Sequence, residues 1–429
     1  MSDILVIGAG PAGLLAAWIA RQRGARVRVL AAGIGTTHIA AGWIGLLDAD
    51  GDLPAALGHW TAAHPRHPYS LALGQSPGLA GLEALWGGIV ALREVADQSG
   101  LSYEGDLSGN YLLPTALGAS AAAALAPASF VAGDLRRPEP MLIAGPQGWR
   151  DFYPQLCAEN LARQGVAARG LSFDLPEMRA ASQFDLTSTG LARLFERAEV
   201  RARIADQLRP RLEGAARVGF PAVIGLERAA EAWRDLQERL GVPVFEIPTL
   251  PPSVPGMRLY QACNAALARA GVQILLDMTV TRGVTANGRA IGVIAPDVVR
   301  ERTYRGDAII LATGGLYGGG IASDQRGELR ETIFGLPLYT PPRDASQERA
   351  GVGDWFQPVF LSEQEHPIHQ VGVRANSQLQ PVDESGRVVL ANVYIAGRLL
   401  AGYAPLAEGS TEGVWLATAY RAAQEAGAL

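Results

Sequence analysis

The segment ILVIGAGPAGLLAAWIARQRG, from Ile4 to Gly24, has the clearest structural pattern in the chain. Its first four residues are apolar, as in a buried parallel strand, and the residues after the glycines show the apolar spacing of a helix that ends near Gly24. VRVL, Val27 to Leu30, has the composition of a second strand. The stretch therefore predicts a strand–helix–strand unit with GAGPAG, Gly8 to Gly13, at its first turn.

The glycines of this turn have the spacing of a phosphate-binding turn. Gly8 allows a tight turn, Gly10 lets the backbone approach a phosphate, and Gly13 lets the helix pack closely on the strand. The free N–H groups of the helix, together with its positive end, then face an anion. A glycine-rich turn without a ligand is the alternative, but the compact strand–helix–strand context favours a nucleotide site.

The acidic residue that normally follows the second strand of such a unit is missing. Asp or Glu at that position binds the ribose hydroxyls of an adenosine. This chain has Ala31 and Ala32, then Gly33, and the next acid is Asp48. Three interpretations remain open: a nucleotide without an adenosine half, such as FMN; FAD held by other contacts; or a degenerate site that has lost its ligand.

Composition excludes several classes of function. At 429 residues, with 48% hydrophobic and 18% charged residues, the chain predicts a globular protein of two domains. All 37 basic residues are arginine, which excludes a pyridoxal Schiff base and a lysine-containing phosphate loop. The net charge of −5 offers no surface for nucleic acid. Two cysteines, Cys157 and Cys263, are too few for an iron–sulfur cluster or a structural zinc, so we expect no metal in this chain.

Two later segments are typical of flavoproteins in which the chain returns to the nucleotide domain. DAIIL, Asp307 to Leu311, runs into Ala-Thr-Gly-Gly at residues 312–315, and VYIA, Val393 to Ala396, meets Gly397. The last helix begins after a polar loop, with Ser410 or Thr411 as its cap. In flavoproteins of this architecture the positive end of that helix faces the flavin ring. An ordinary capped surface helix is the alternative.

The predicted fold class is α/β: a discontinuous Rossmann-like two-dinucleotide-binding flavoprotein domain with an inserted α/β cap domain. We expect residues 1–75 and 251–429 to form the flavin domain and residues 76–250 to form the cap. Two further strand–helix units are predicted in the cap, with strands at MLIAG, Met141 to Gly145, and PAVIG, Pro221 to Gly225.

These pieces resemble one family, the B subunit of anaerobic glycerol-3-phosphate dehydrogenase, over nearly the whole chain. The segments that carry the resemblance are HPYSL (67–71), LPTALG (113–118), PTLPPSVPGMRL (248–259), RETIFGL (330–336) and VYIAGRLLAGYAPLAEG (393–409). The resemblance implies oxidation of sn-glycerol 3-phosphate to dihydroxyacetone phosphate, with FMN in this subunit and quinone as the final acceptor. It also implies an FAD-bearing A subunit and a C subunit that carries iron–sulfur clusters and docks at the membrane.

The low cysteine count fits a reducing cytoplasm, and no apolar run is long enough to span a membrane. We therefore expect a cytoplasmic chain that reaches the inner face of the cell membrane only through a partner subunit. A succinate/fumarate-type flavin dehydrogenase is an alternative, although its His-Pro-Thr-Gly segment is missing. A flavin-free scaffold subunit is another, since alanine at the ribose position supports it as well.

Three residues are candidates for the chemistry. His38 lies in a loop similar to the Ser-His-Thr loop of succinate dehydrogenase flavoproteins, while Arg258 and Arg330 have the side chain that binds phosphate best. His366 and His369 are further candidate bases. The predicted cofactor-binding residues are Gly8, Ala9, Gly10, Pro11, Ala12, Gly13, Ala31, Thr37, His38, Gly42, Thr313, Gly314, Gly315, Gly397, Ser410, Thr411, Gly413 and Val414.

Overall fold

The structure is a computed structural model that describes residues 2–74, 79–180, 187–296, 300–341, 355–359 and 365–428. In chain order the strands are β1 (Asp3–Ile7), β2 (Arg26–Leu30), β3 (Tyr103–Gly105), β4 (Tyr111–Pro114), β5 (Ser120–Ala123), β6 (Leu125–Pro127), β7 (Met141–Pro146), β8 (Ala168–Phe173), β9 (Arg217–Pro221), β10 (Val244–Ile247), β11 (Gln273–Leu275), β12 (Arg282–Ala286), β13 (Arg289–Pro296), β14 (Glu301–Arg305), β15 (Ala308–Leu311), β16 (Ile321–Ser323), β17 (Leu329–Glu331), β18 (Leu338–Tyr339), β19 (Gly372–Val373) and β20 (Val393–Ile395).

The helices are α1 (Pro11–Gln22), α2 (Leu53–Ala63), α3 (Pro68–Leu73), α4 (Glu83–Asp97), α5 (Ala128–Val131), α6 (Pro154–Arg163), α7 (Pro176–Ala180), α8 (Ser188–Phe195), α9 (Ala198–Leu208), α10 (Ala229–Leu240), α11 (Val254–Arg269), α12 (Gly315–Gly318), α13 (Pro405–Glu408) and α14 (Thr411–Gly427). Short 3₁₀ turns cover Thr37–Ile39, Leu79–Leu82, Arg209–Arg211, Pro367–Gln370 and Gly397–Leu399. Within the described residues, no helix combines the length and the apolar character needed to cross a membrane.

Both units of the chain are discontinuous in sequence. Unit 1 comprises Met1–Thr36, Gly45–Val95 and Cys263–Leu429, and unit 2 comprises Thr37–Ile44 and Ala96–Ala262. The predicted boundary between residues 75 and 76 lies outside the described residues, and the segment of unit 1 that begins at Gly45 continues to Val95. The reason is that α4 packs on α14: a Cβ atom on Gly87 or Gly88 would overlap Tyr420 or Leu416.

The central sheet of unit 1 has five parallel strands in the order β11–β2–β1–β15–β20. The predicted strands β1, β2, β15 and β20 are therefore confirmed. The apolar composition of β1, β15 and β20 fits their burial, whereas β2 alternates arginine with buried apolar residues. The helices α1 and α14 pack against each other. Since β1 has β2 on one side and β15 on the other, the strand order reverses beside β1, as in Rossmann-type sheets.

Unit 2 contains a second parallel sheet, in the order β10–β9–β7–β8. The strand predicted at MLIAG is confirmed by β7. The strand predicted at PAVIG is wrong, because β9 lies at Arg217–Pro221 and Gly225 has a φ of 80° in the loop that follows. An arginine begins this strand: Arg217 is fully buried and donates hydrogen bonds to the carbonyls of Ala132, Asp134 and Arg137.

The loop that follows β9 ends in a cluster of backbone donors at the start of α10. The amides of Leu226, Glu227 and Arg228 all donate to Oε1 of Glu196, at 2.9, 2.6 and 2.9 Å. Burial raises the pKa of this carboxyl, but the three amide hydrogen bonds and the Arg228 guanidinium outweigh burial and leave the pKa below its usual range. Glu196 is therefore ionised at neutral pH.

Candidate functional site

The predicted residues of unit 1 gather at the carboxyl ends of its parallel strands. The glycine turn follows β1, Ala31 follows β2, Thr313–Gly315 follows β15 and Gly397 follows β20. In open α/β sheets, ligands bind outside this edge at the point where the strand order reverses. The sheet topology thus brings together four segments that are far apart in sequence.

The three glycines of the turn have different surroundings. Gly8 has a φ of 114°, and a Cβ atom there would lie 2.3 Å from the carbonyl oxygen of Ala312. A Cβ atom on Gly13 would lie 2.0 Å from the carbonyl oxygen of Gly8. Gly10, by contrast, has a φ of −74°, and a Cβ atom there would meet nothing within 4 Å. Gly8 and Gly13 are therefore required by packing, whereas Gly10 borders open space.

The amino-terminal end of α1 begins beside this space. Pro11 is its first residue, Gly10 occupies the cap position without a side-chain hydrogen bond, and the first turn has no acidic residue. The first N–H groups of a helix have no partner within the helix. These donors fit the phosphate of a nucleotide, and the surroundings of Gly10 leave room for one.

The segment after β15 lies directly against the glycine turn. The amide of Ala312 donates to the carbonyl of Ile7 at 2.9 Å, which continues the pairing of β1 with β15. The hydroxyl oxygen of Thr313 is buried and has no hydrogen-bond partner among the described residues. This hydroxyl lies against Gly320, where a Cβ atom would come within 2.1 Å of it, so glycine is required at that position.

Gly397 connects the end of β20 to both packed helices. Its φ is 66°, and a Cβ atom there would lie 2.8 Å from Cβ of Ala12 in α1. Its amide donates to the Thr418 hydroxyl in α14 at 2.9 Å. Glycine is thus required at this position, because any side chain would push α1 away from the sheet edge.

The end of β2 lacks a group that could bind a ribose. Ala31 is buried, its amide donates to the carbonyl of Leu275 at 3.0 Å, and its own carbonyl accepts from Met278 at 3.0 Å. Both backbone groups are thus used within the protein. Only a methyl group remains where related nucleotide domains carry a carboxylate.

The start of α14 lacks the predicted side-chain cap. Neither Ser410 nor Thr411 caps the helix with its side chain, because the Ser410 hydroxyl donates to Oε2 of Glu408 at 2.7 Å. The amide of Gly413 donates to the carbonyl of Gly45 at 2.9 Å. Val414 is buried in the first turns of the helix. The helix end is therefore fixed by backbone contacts and by Glu408.

Glu412 lies in the first turn of α14 and accepts a hydrogen bond from the amide of Gly45 at 3.3 Å. Burial raises its pKa to about 7, although the backbone hydrogen bonds lower it in part. A raised carboxyl pKa means that the folded state favours the protonated form. The associated stability is complete below the ordinary glutamate pKa of 4.5 and is lost as the pH rises through about 7.

We expect Glu412→Gln to be more stable than the wild type at pH 8, with a gain that shrinks towards pH 5. The difference in the free energy of unfolding should change by about 2 kcal/mol over that range, because glutamine keeps the hydrogen bond but cannot ionise. Chemical denaturation at several pH values measures it, with Glu159→Gln on the exposed face of α6 as the control. An equal gain at every pH would contradict the prediction.

Three predicted cofactor residues belong to unit 2. Thr37 has a buried hydroxyl without a partner among the described residues, and the carbonyl of His38 accepts from the Ser253 amide at 2.7 Å. A Cβ atom on Gly42 would lie 2.4 Å from Cβ of Pro255. Their roles at a flavin stay predictions.

Arg258 is engaged inside unit 2. Its guanidinium pairs with Glu246 through hydrogen bonds of 2.7 and 2.9 Å and also donates to the carbonyls of Ile224 and Gly225. The two side chains are 5% and 1% exposed. This set of partners fits a structural role and leaves the predicted substrate contact of Arg258 without support. Arg330 lies exposed in β17, with no ion-pair partner among the described residues.

The histidines near the carboxyl terminus differ in their partners. His369 lies between Glu365 and Tyr317, at 2.5 Å from Nδ1 to the carboxylate and 2.8 Å from Nε2 to the phenol oxygen. His366 accepts from the amide of Gln357 at 2.8 Å. Sequence reasoning missed Glu365 and Tyr317, although a glutamate four residues before a histidine was a usable signal. Nowhere in the described ranges do three His, Cys, Asp or Glu side chains come together as a metal site.

Comparisons with known proteins agree with this geometry. Residues 3–414 match the family described as FAD binding domain. The chain is 30% identical to the B subunit of anaerobic glycerol-3-phosphate dehydrogenase of Pectobacterium carotovorum, over 99% of this chain and 98% of that protein. It is 31% identical to the probable B subunit of anaerobic glycerol-3-phosphate dehydrogenase of Halobacterium salinarum, over 98% of this chain and 96% of that protein.

Among solved structures, the chain is similar to 3-ketosteroid Δ1-dehydrogenase from Sterolibacterium denitrificans. The match covers 100% of this chain and 99% of that chain, with 13% identity and a TM-score of 0.47. A likeness this distant says nothing about substrate.

Proposed function

The chain belongs to the B-subunit family of anaerobic glycerol-3-phosphate dehydrogenase and carries its FAD-binding-type domain, and from this premise we propose that it is the flavin-dependent subunit that oxidises sn-glycerol 3-phosphate to dihydroxyacetone phosphate. The observation that carries the proposal is the open face of Gly10 at the start of α1. A flavin-free scaffold would have no use for a helix end that is left uncapped beside open space.

The flavin we propose is FMN. Ala31 offers a methyl group where an adenosine ribose would need a carboxylate, and its backbone groups are already paired. The single phosphate of FMN needs only the glycine turn and the end of α1. Extraction of the flavin from purified protein, followed by chromatography against both standards, tests this. Recovery of FAD would refute the assignment of FMN, but the proposal that this chain binds a flavin would stand.

In this proposal the residues of this chain bind the flavin and orient it. The backbone of Gly8–Gly13 would hold the flavin phosphate, and the amino-terminal end of α14 would stabilise negative charge on the ring. Bound flavin supplies the two-electron acceptor that a secondary alcohol needs to become a ketone. Arg330 stays our candidate for the substrate phosphate, because its guanidinium is exposed and has no ion pair among the described residues.

Partner subunits belong to the same proposal. The relatives are named as the B subunit of a dehydrogenase, which implies other subunits. We expect an FAD-containing A subunit and an iron–sulfur C subunit that attaches the complex to the inner face of the cell membrane and passes electrons to quinone. The two cysteines of this chain, both buried and unpaired, fit clusters that lie on another chain.

The proposed function predicts that glycerol 3-phosphate bleaches the visible flavin band of the purified chain under anaerobic conditions. Glycerol is the matched control, because it has the same alcohol groups but no phosphate. If the flavin absorbance does not change when glycerol 3-phosphate is added, the flavin receives electrons from the A subunit instead of from the substrate directly. A colourless protein that takes up neither FMN nor FAD would refute flavin binding.

A further inference from the structure

Tyr317, His369 and Glu365 form a hydrogen-bonded series in unit 1. The phenol oxygen of Tyr317 lies 2.8 Å from Nε2 of His369, and Nδ1 of His369 lies 2.5 Å from Oε1 of Glu365. The side chains of His369 and Glu365 are 8% and 6% exposed, whereas Tyr317 is 68% exposed. Only the tyrosine end of the series is therefore open to a ligand.

The hydrogen bonds of Glu365 determine where the protons lie. Its second carboxylate oxygen accepts from the amide of Ala407 at 3.0 Å, and we assign the ionised form to Glu365, in which the other oxygen is also an acceptor. Nδ1 of His369 must then carry the proton that it donates, and Nε2 of the neutral ring is an acceptor. The Tyr317 hydroxyl consequently donates to Nε2 and turns its lone pairs outward, in the direction that can receive a proton.

The series lies beside the edge of the sheet at which the flavin segments gather. Tyr317 is in α12, two residues beyond Gly315, and a Cβ atom on Gly315 would lie 2.8 Å from the carbonyl oxygen of Arg398. Arg398 in turn donates to the carbonyl of His369 at 2.9 Å. The tyrosine thus belongs to the same cluster of backbone contacts as the segment after β15.

Within the described ranges, the titratable and charged groups around His369 are two aromatic side chains, an arginine and a carboxylate. The ring of His366 lies edge-on with its centroid 5.7 Å away, and the ring of Tyr317 lies 6.0 Å away. Arg398 contacts the backbone of His369 and lies over the ring of Tyr403, 5.1 Å from its centroid. The carboxylate of Glu365 contacts Nδ1 of the imidazole at 2.5 Å.

We propose that Tyr317, His369 and Glu365 form a proton relay that takes the hydroxyl proton of the phosphorylated polyol as it is oxidised, an inference that rests on the proposed function. The substrate O–H bond breaks and its proton goes to the Tyr317 oxygen, while the proton of that hydroxyl passes to Nε2 of His369. The hydrogen on the carbon would leave as hydride, with both electrons of the C–H bond, and a bound flavin would accept it as the carbon–oxygen bond becomes C=O. Tyr317 is the catalytic residue, and Glu365 is a positioning residue that stabilises the imidazolium.

The first test compares Tyr317→Phe with the wild type in the flavin-loaded protein, using an artificial electron acceptor. We expect kcat/KM for glycerol 3-phosphate to fall about 10²-fold, the scale of general base catalysis, with flavin content unchanged. The pH profile of kcat/KM should also differ between the wild type and the variant, because the variant lacks the hydroxyl that receives the substrate proton. Tyr153→Phe is the matched control, because Tyr153 is a 57% exposed tyrosine in unit 2.

The second test needs neither substrate nor turnover. The chain has six histidines, so selective ¹⁵N-histidine labelling with His369→Gln for assignment identifies the His369 signals. We expect a neutral ring protonated at Nδ1 in the wild type, and a shift towards Nε2 protonation in Glu365→Ala. A wild-type ring protonated at Nε2 would overturn the relay, because that nitrogen could then accept no proton from Tyr317.

The two proposals fail in different ways. If glycerol 3-phosphate does not reduce the flavin of the wild type, the proposed function fails. If the wild type turns over and Tyr317→Phe keeps its kcat/KM and its pH profile, the relay fails while the function stands.

Discussion

Gly10→Ala is expected to give a folded chain without flavin. Alanine is compatible with the φ of −74° at this position, and its methyl group would meet no protein atom within 4 Å. The change in the free energy of unfolding of the flavin-free protein should therefore stay within about 1 kcal/mol. The methyl group would instead occupy the space that the phosphate needs, and we expect flavin occupancy to fall at least tenfold, as read from the visible spectrum.

Two other glycines provide the controls. Gly13→Ala should destabilise the fold by about 3 kcal/mol or more, because its Cβ atom would lie 2.0 Å from a backbone oxygen that cannot move freely. Gly33→Ala should change neither stability nor flavin content, since Gly33 is exposed with nothing nearby. Flavin retained by a well-folded Gly10→Ala protein would refute our assignment of the phosphate to this turn.

Arg258→Met is expected to lower the free energy of unfolding by about 3–5 kcal/mol. The change removes one partner of a buried ion pair and leaves the Glu246 carboxylate without its counter-charge. The amide of Ile224 and the hydroxyl of Ser129 would remain as its donors, at 2.9 and 2.8 Å. Denaturant titration of the full chain measures the loss.

A double variant and a conservative one separate structure from substrate binding at Arg258. Arg258→Met combined with Glu246→Gln should recover part of the lost stability, because the uncompensated charge is removed. Arg258→Lys keeps the charge and should cost less than Arg258→Met. If Arg258→Met raised KM for glycerol 3-phosphate at unchanged stability, the residue would be a substrate ligand after all.

The nucleotide half of the fold could be predicted because its signals are local. The glycines at positions 8, 10 and 13 follow a short apolar strand and precede a helix, and each spacing has one physical reason. The strands β15 and β20 could be predicted for a similar reason. Parallel strands that are buried on both faces are apolar throughout, and these two are.

The roles of several polar and charged residues could not be predicted, because they depend on contact partners that are distant in sequence. Arg217 begins a buried strand only because three carbonyls about 80 residues earlier accept its hydrogen bonds. Arg258 was predicted as a phosphate ligand, but its sequence context does not show that it forms a buried ion pair with Glu246. Tyr317 becomes a candidate only through a histidine 52 residues away. Charged residues are the hardest to assign from sequence, because the same side chain suits a surface, a ligand or a buried pair.

The position of Glu196 limits the number of nucleotides that the chain can bind. Three consecutive amides at the start of α10, after a parallel strand, are a seat for an anion, much as in the glycine turn of unit 1. In unit 2 that seat is taken by a carboxylate from the chain itself, which acts as a permanent internal ligand. The carboxylate connects the end of α8 to the start of α10 and leaves these amides without a free donor for a phosphate. We therefore expect one flavin per chain.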